Sequence, residues 1–159
     1  MGLDAYVFCN CFELGLLREL PPVRAQVYVA DNGSLECVST DLSVEMAFDQ
    51  WLNDRACQHP RGCLVHHYIG NISLVALLRS ELSRDRSKFP TILNKVIYNG
   101  IHGGDYIPSD EVAKLKIEIQ ELKNFHSRDT KTESFIRDFE MQLSELVEAA
   151  LKLNKPISF

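Results

Sequence analysis

The 159-residue chain has no apolar run approaching the ~18 residues of a membrane-spanning helix. Its first residues, Met1-Gly2-Leu3-Asp4-Ala5-Tyr6, lack the basic start and long apolar core of a secretory signal. Tyr6 stands where myristoylation of Gly2 favours Ser or Thr. A cytoplasmic protein is expected, and the glycosylation match at Asn71-Ile72-Ser73 carries no weight there. Positive charge is also short: 17 Lys and Arg stand against 22 Asp and Glu, a net charge of -5. The densest basic run, Arg79 to Lys88, is interleaved with Glu81 and Asp85 and reads as a solvated helix end. With no basic stripe to displace counterions from phosphates, a nucleic-acid partner is not expected, nor is a membrane. No complete catalytic signature occurs. The five cysteines are an odd number, and reduced cytosolic thiols are more often buried, metal-bound or reactive than bridged.

What is present is an ordinary globular composition, 45% apolar and 25% charged, in a chain the size of one domain. Residues 3 to 12 alternate with period two, placing Leu3, Ala5, Val7, Cys9 and Cys11 on one face of a first strand. Arg24 to Asp31 and Ser34 to Ser39 predict a hairpin around Asn32-Gly33 that sets Tyr28 opposite Cys37. A helix is predicted over 42–56, capped by Thr40 or Asp41, with Val44, Phe48, Trp51 and Leu52 as its apolar stripe. Cys63 to Ile69 reads as a strand, Ile72 to Ser83 as a helix, and Val96 to Tyr98 as a small strand. Ser109 is the predicted N-cap of a helix carrying Val112, Leu115, Ile119 and Leu122. Thr130-Lys131-Thr132-Glu133 reads as a capping box opening the last helix, whose stripe runs from Ile136 to Leu153.

The expected architecture is a single α+β domain. A small, mostly antiparallel sheet over residues 1–105 takes in the first strand, the hairpin and the strands after Cys63 and near Tyr98. A C-terminal αα-hairpin over 106–159 covers it. That hairpin could instead pair with a second copy as a homodimer. Residues 105 to 150 hold 11 acidic and 6 basic side chains and so carry the whole net charge.

Metal-ligating residue types are densest in Cys57-Gln58-His59-Pro60-Arg61-Gly62-Cys63-Leu64-Val65-His66-His67. Thiolate and imidazole are zinc's preferred donors, usually four in a tetrahedron. Cys57-x-His59-x3-Cys63-x2-His66 offers four donors around a Pro/Gly turn. If residues 63–69 form a strand, Cys63 and His67 share a face and His66 takes the other, so only one of the two histidines can join. The set taken is Cys57, His59, Cys63 and His67, with His66 as the alternative. Cys9 and Cys11 join only if the first strand runs beside residues 57–67. Against this stands the reading that the cysteines are small buried apolar groups. The glycine-rich turn 99–105 is a second candidate, with His102 and Asp105 as an acid/base pair beside a helix N-terminus, or as no more than a turn.

The opening Met1-Gly2-Leu3-Asp4, the stretch His66-His67-Tyr68-Ile69-Gly70-Asn71, and Gly103-Gly104-Asp105-Tyr106-Ile107-Pro108 resemble features of a loose group of small, uncharacterised bacterial and phage proteins. No activity is attached to that group, and the cysteines are not part of its pattern. The resemblance implies that the two turns meet in one pocket, with His67, Asn71, His102 and Asp105 as its ligand-binding residues. Three functions are compatible with these features. One is a binding or interaction protein, most concretely an immunity or inhibitor protein whose acidic surface holds a basic toxin. The others are a zinc-dependent hydrolase built on the Cys/His cluster and a small-ligand sensor using the two turns.

Overall fold

The computed structural model describes residues 2–100 and 103–159, together one α+β domain. No helix among the described residues is long and apolar enough to cross a membrane. A four-stranded antiparallel sheet has the order β4-β1-β6-β5, built from β1 (Gly2–Phe8), β4 (Cys63–Asn71), β5 (Tyr106–Ile107) and β6 (Ile157–Ser158). Strand β1 buries Leu3, Ala5 and Val7 completely, as its period-two pattern requires. It stops at Phe8, so Cys9 and Cys11 lie in the turn that follows instead of extending the strand.

The hairpin forms a separate two-stranded sheet, β2 (Val27–Val29) with β3 (Leu35–Cys37). Its register pairs Tyr28 with Glu36, one residue away from the expected Cys37. Two-residue Asn-Gly turns need positive φ at both positions, but here only Gly33 is left-handed (φ 87°). The Gly33 amide donates to Ala30 O and the Ala30 amide to Ser34 O, giving a three-residue loop whose glycine is the extra, bulged residue. Helix α1 (Leu42–Asp54), capped by Asp41, packs Phe48, Trp51 and Leu52 against this hairpin in a small second core.

Helices α2 (Ile72–Leu82), α3 (Val112–Asn124) and α4 (Thr130–Leu153) form the main core with the sheet. Helix α4 thus lies on the sheet with α3 packed on α4, and the same segment supplies β5 and β6. The strand expected near Tyr98 is absent. Phe89, Ile92, Leu93, Val96 and Ile97 recur with helical spacing, are all buried, and fold as a helical turn whose Ile92–Val96 portion is π-helical. Glu118, 5% exposed, reaches from α3 to cap that turn, accepting the amides of Thr91 (2.7 Å) and Ile92 (2.8 Å). Helix α3 begins three residues beyond the expected Ser109 cap.

Helix α4 is capped by Asp129, which accepts from Thr132 N (2.8 Å), in place of the predicted capping box. Glu133 turns outward from the helix to accept the Ser127 amide (2.6 Å). These amide bonds hold both carboxyls below their ordinary values of 3.8 and 4.5. In the unfolded chain the two groups protonate first. Their stabilisation is therefore full above the ordinary values and lost as pH falls through the depressed folded ones. An Asp129→Asn, Glu133→Gln variant is expected to show a flatter melting profile between about pH 5 and 2 than the parent. Parallel profiles would deny both groups that role.

Gly70, where β4 bulges against β1, has φ 155°, and a Cβ there would meet Leu74 Cδ2 at 2.6 Å. Gly70→Ala is expected to lower the unfolding free energy by about 2 kcal/mol. Chemical denaturation measures this, and an unchanged midpoint would contradict the packing at the bulge.

Candidate metal centre

Two backbone tethers bring the ends of β1 and α1 together. The Cys9 amide donates to Gly62 O (2.7 Å), and the Arg18 amide to Ala56 O (2.8 Å). Gly62 (φ 69°) and Arg61 (φ 55°) are both left-handed, which folds the turn Pro60–Gly62 back between α1 and β4. Cys9-x-Cys11 is thereby placed against Cys57-x-His59. Cys9 Sγ lies 3.8 Å from Cys57 Sγ, Cys11 Sγ 3.5 Å from His59 Nδ1, and Cys57 Sγ 3.8 Å from His59 Nδ1. All four donor atoms fall within 4.8 Å of one another.

Those separations have a chemical meaning. Around a tetrahedral zinc with bonds of about 2.3 Å to sulfur and 2.0–2.1 Å to nitrogen, the edges are about 3.8 Å for S···S and about 3.6 Å for S···N. The three donor separations above match these edges. Each pair also directs an amide at its first sulfur: His59 N–H donates to Cys57 Sγ (3.4 Å), and Cys11 N–H to Cys9 Sγ. Such donors compensate negative charge on a thiolate. Burial pushes the Cys9 thiol up to about 12, with the Cys57 and Cys11 thiols adding to the rise and the Cys11 amide opposing it. Burial likewise raises Cys11. The neutral forms of Cys9 and Cys11 are thus favoured until a cation is present to hold their charge.

The structure gathers Cys57 and His59 with Cys9 and Cys11, and leaves Cys63, His66 and His67 elsewhere. Cys63 begins β4, donates to Val65 O (3.2 Å) and is raised by burial. His67 does share the inward-tending face and bonds Glu145 of α4 (2.8 Å). His66 points to the other face, bonds Asp4 (2.8 Å) and stacks on Tyr6. Alternation alone puts Cys9 and Cys11 on a strand. The stronger sign is the repeated donor-x-donor spacing, shared by Cys9/Cys11 and Cys57/His59.

Of the second candidate set, the described residues His67, Asn71 and Asp105 each have partners outside the set. Asn71 caps α2 through Leu74 N (2.9 Å), and Asp105 accepts the Tyr98 hydroxyl, which raises that phenol. The cleft beside Asp105 is lined by Lys95, Tyr98 and Tyr106, with nothing from residues 66–71. Gly100 does pack against Ile72, so the two turns are neighbours. His102 lies outside the described residues.

Beside the metal-ligand cluster, the outer face of β1 and β4 opens into a cleft of about 780 Å³. Tyr6, Phe8, Leu64 and His66 line the sheet side, Arg61 the turn, and Leu35 the hairpin. A register break between Val7 and Phe8 also lets Cys63 border it. Burial, then Asp4 and Cys63, raise the Tyr6 phenol, while the nearby Arg61 charge lowers it.

Comparison with family models, with curated proteins and with solved structures finds no match to the chain.

Proposed function

We propose that this protein is a binding domain in which Cys9, Cys11, Cys57 and His59 hold a structural zinc ion, and that it is not an enzyme. The observation carrying this reading is a set of four donors within 4.8 Å of one another, three of whose separations match tetrahedral edges. Four protein donors fill zinc's preferred coordination, whereas hydrolytic zinc keeps one position for water. The ion would join the turn after β1 to the turn after α1, and so fasten the small core around Trp51 to the sheet. A reducing cytoplasm suits a chain whose five cysteines are all free.

The acidic-surface reading, an immunity or inhibitor protein holding a basic toxin, draws less support. Much of the acidity of residues 105–150 is used internally: Glu111 pairs with Lys95, Glu121 with Lys88, Glu140 with Arg137 and Glu145 with His67, while Glu118 and Asp129 are caps. Asp110, Asp138 and Glu148 are left without a hydrogen bond or ion pair among the described residues.

Protein purified without chelator is expected to contain one zinc per chain. Replacing zinc with Co²⁺ should give the intense visible absorption and sulfur-to-metal charge transfer of a tetrahedral thiolate site. Metal-free protein that takes up Co²⁺ with only the pale spectrum of octahedral oxygen ligation would overturn the assignment.

A further inference from the structure

We infer that the cleft between the sheet and the hairpin binds a small planar aromatic molecule carrying an anionic group, a phosphate or a carboxylate. Such a molecule would be the ligand of the binding domain described above. Its site rests on that reading only in that the His59 ligand leads directly into the turn bearing Arg61.

Three observations converge on this cleft. Its floor is a stack of parallel rings: Tyr6 and His66, paired across β1 and β4, have centroids 4.5 Å apart at 3°, and Tyr6 and Phe8 lie 6.0 Å apart at 11°. His66 is oriented by Asp4, so the stack is held from beneath. A flat ring can continue such a stack, and aromatic surface is worth most when its partner is also planar. Arg61 supplies a cation without a carboxylate partner among the described residues. The Tyr6 hydroxyl, close enough to feel that charge, likewise makes no hydrogen bond among them. A guanidinium and a phenol lining the same cleft as an aromatic stack suit a phosphate or carboxylate. Finally, Arg61 is held at φ 55°, a conformation uncommon for a side-chain-bearing residue, which places its side chain at the cleft. The volume of about 780 Å³ is ample for a nucleotide-sized molecule.

Isothermal titration of the full chain would use adenosine 5′-monophosphate and indole-3-acetate as the phosphate and carboxylate arms. Adenosine, indole and inorganic phosphate are the incomplete probes, and zinc is measured on the same sample. At least one aromatic anion is expected to bind at least tenfold more tightly than each of its parts. Arg61→Asn, which keeps a residue tolerant of positive φ, is expected to weaken it tenfold, and Tyr6→Leu by a similar factor. No binding by either anion, equal affinity for the uncharged partners, or full affinity in Arg61→Asn would overturn the inference. Tight binding by zinc-free protein would uphold the cleft and sink the metal reading, while stoichiometric zinc with no binding would do the reverse.

Discussion

Serine at Cys9 or Cys57 is expected to remove stoichiometric zinc and to lower the melting temperature by roughly 10 °C or more, and serine at Cys63 to do neither. The magnitude follows from linkage. A ligand held at a thousand times its dissociation constant stabilises the folded state by about 4 kcal/mol, and each kcal/mol moves the melting point of a domain this size by about 2–4 °C. Serine is nearly isosteric with cysteine, so packing changes little at these positions and the loss measures the metal. His59→Ala should behave as Cys9→Ser does, because its Nδ1 faces two sulfurs at 3.5 and 3.8 Å. His67→Ala should keep the ion, since its ring is engaged with Glu145. In the parent, a chelator should reproduce the drop, and in Cys9→Ser it should have no further effect. If Cys63→Ser or His67→Ala released zinc as fully as Cys9→Ser, the assignment of the ion to Cys9, Cys11, Cys57 and His59 would be wrong.

Replacing Glu118 with alanine is expected to cost about 3 kcal/mol, because two amide bonds to a carboxylate are lost and one buried and one half-buried donor are left without that partner. The Thr91 and Ile92 amides begin the helical turn that contains Ile92, Leu93, Val96 and Ile97, and none of these side chains is more than 3% exposed. Loosening that turn would therefore loosen the main core, not merely a loop. Glutamine offers a single acceptor oxygen and an amide group that faces a donor, so Glu118→Gln should recover at most half of the loss. Urea denaturation of the three proteins measures this order. Equal midpoints for alanine and glutamate would mean the carboxylate contributes nothing beyond filling space.

The hairpin register and the metal-ligand set escape a reading of the sequence for the same reason. Asn32-Gly33 marks the turn, but loop length depends on whether Asn32 adopts positive φ, which adjacent residues do not dictate. In the same way, alternation marks Leu3, Ala5 and Val7 as an inward face, yet carries no information on where the strand stops. Helix ends behave similarly. The α4 stripe from Ile136 to Ala150 is legible, while the choice of Asp129 over Thr130 as cap depends on the path of the preceding chain. Residues 89–97 show the opposite case. Their helical spacing is present but shared with the β-branched composition of a strand, and Glu118, twenty-odd residues away, supplies the cap that decides between them.

By itself the sequence determined an antiparallel α+β domain, the faces of β1, α1 and the C-terminal helices, and the presence of two soft-donor segments. These depend on local periodicity and residue chemistry, which a linear string carries in full. Only the tertiary structure decided that Cys9 and Cys11 meet Cys57 and His59 across 48 residues, that Cys63 and His67 stand apart, and that Arg61 and Tyr6 line one cleft. The pairing of β1 with β4 fixes which turns lie side by side. Such pairing depends on burying both strands under distant helices, so it is a property of the whole core and not of the residues that form the site.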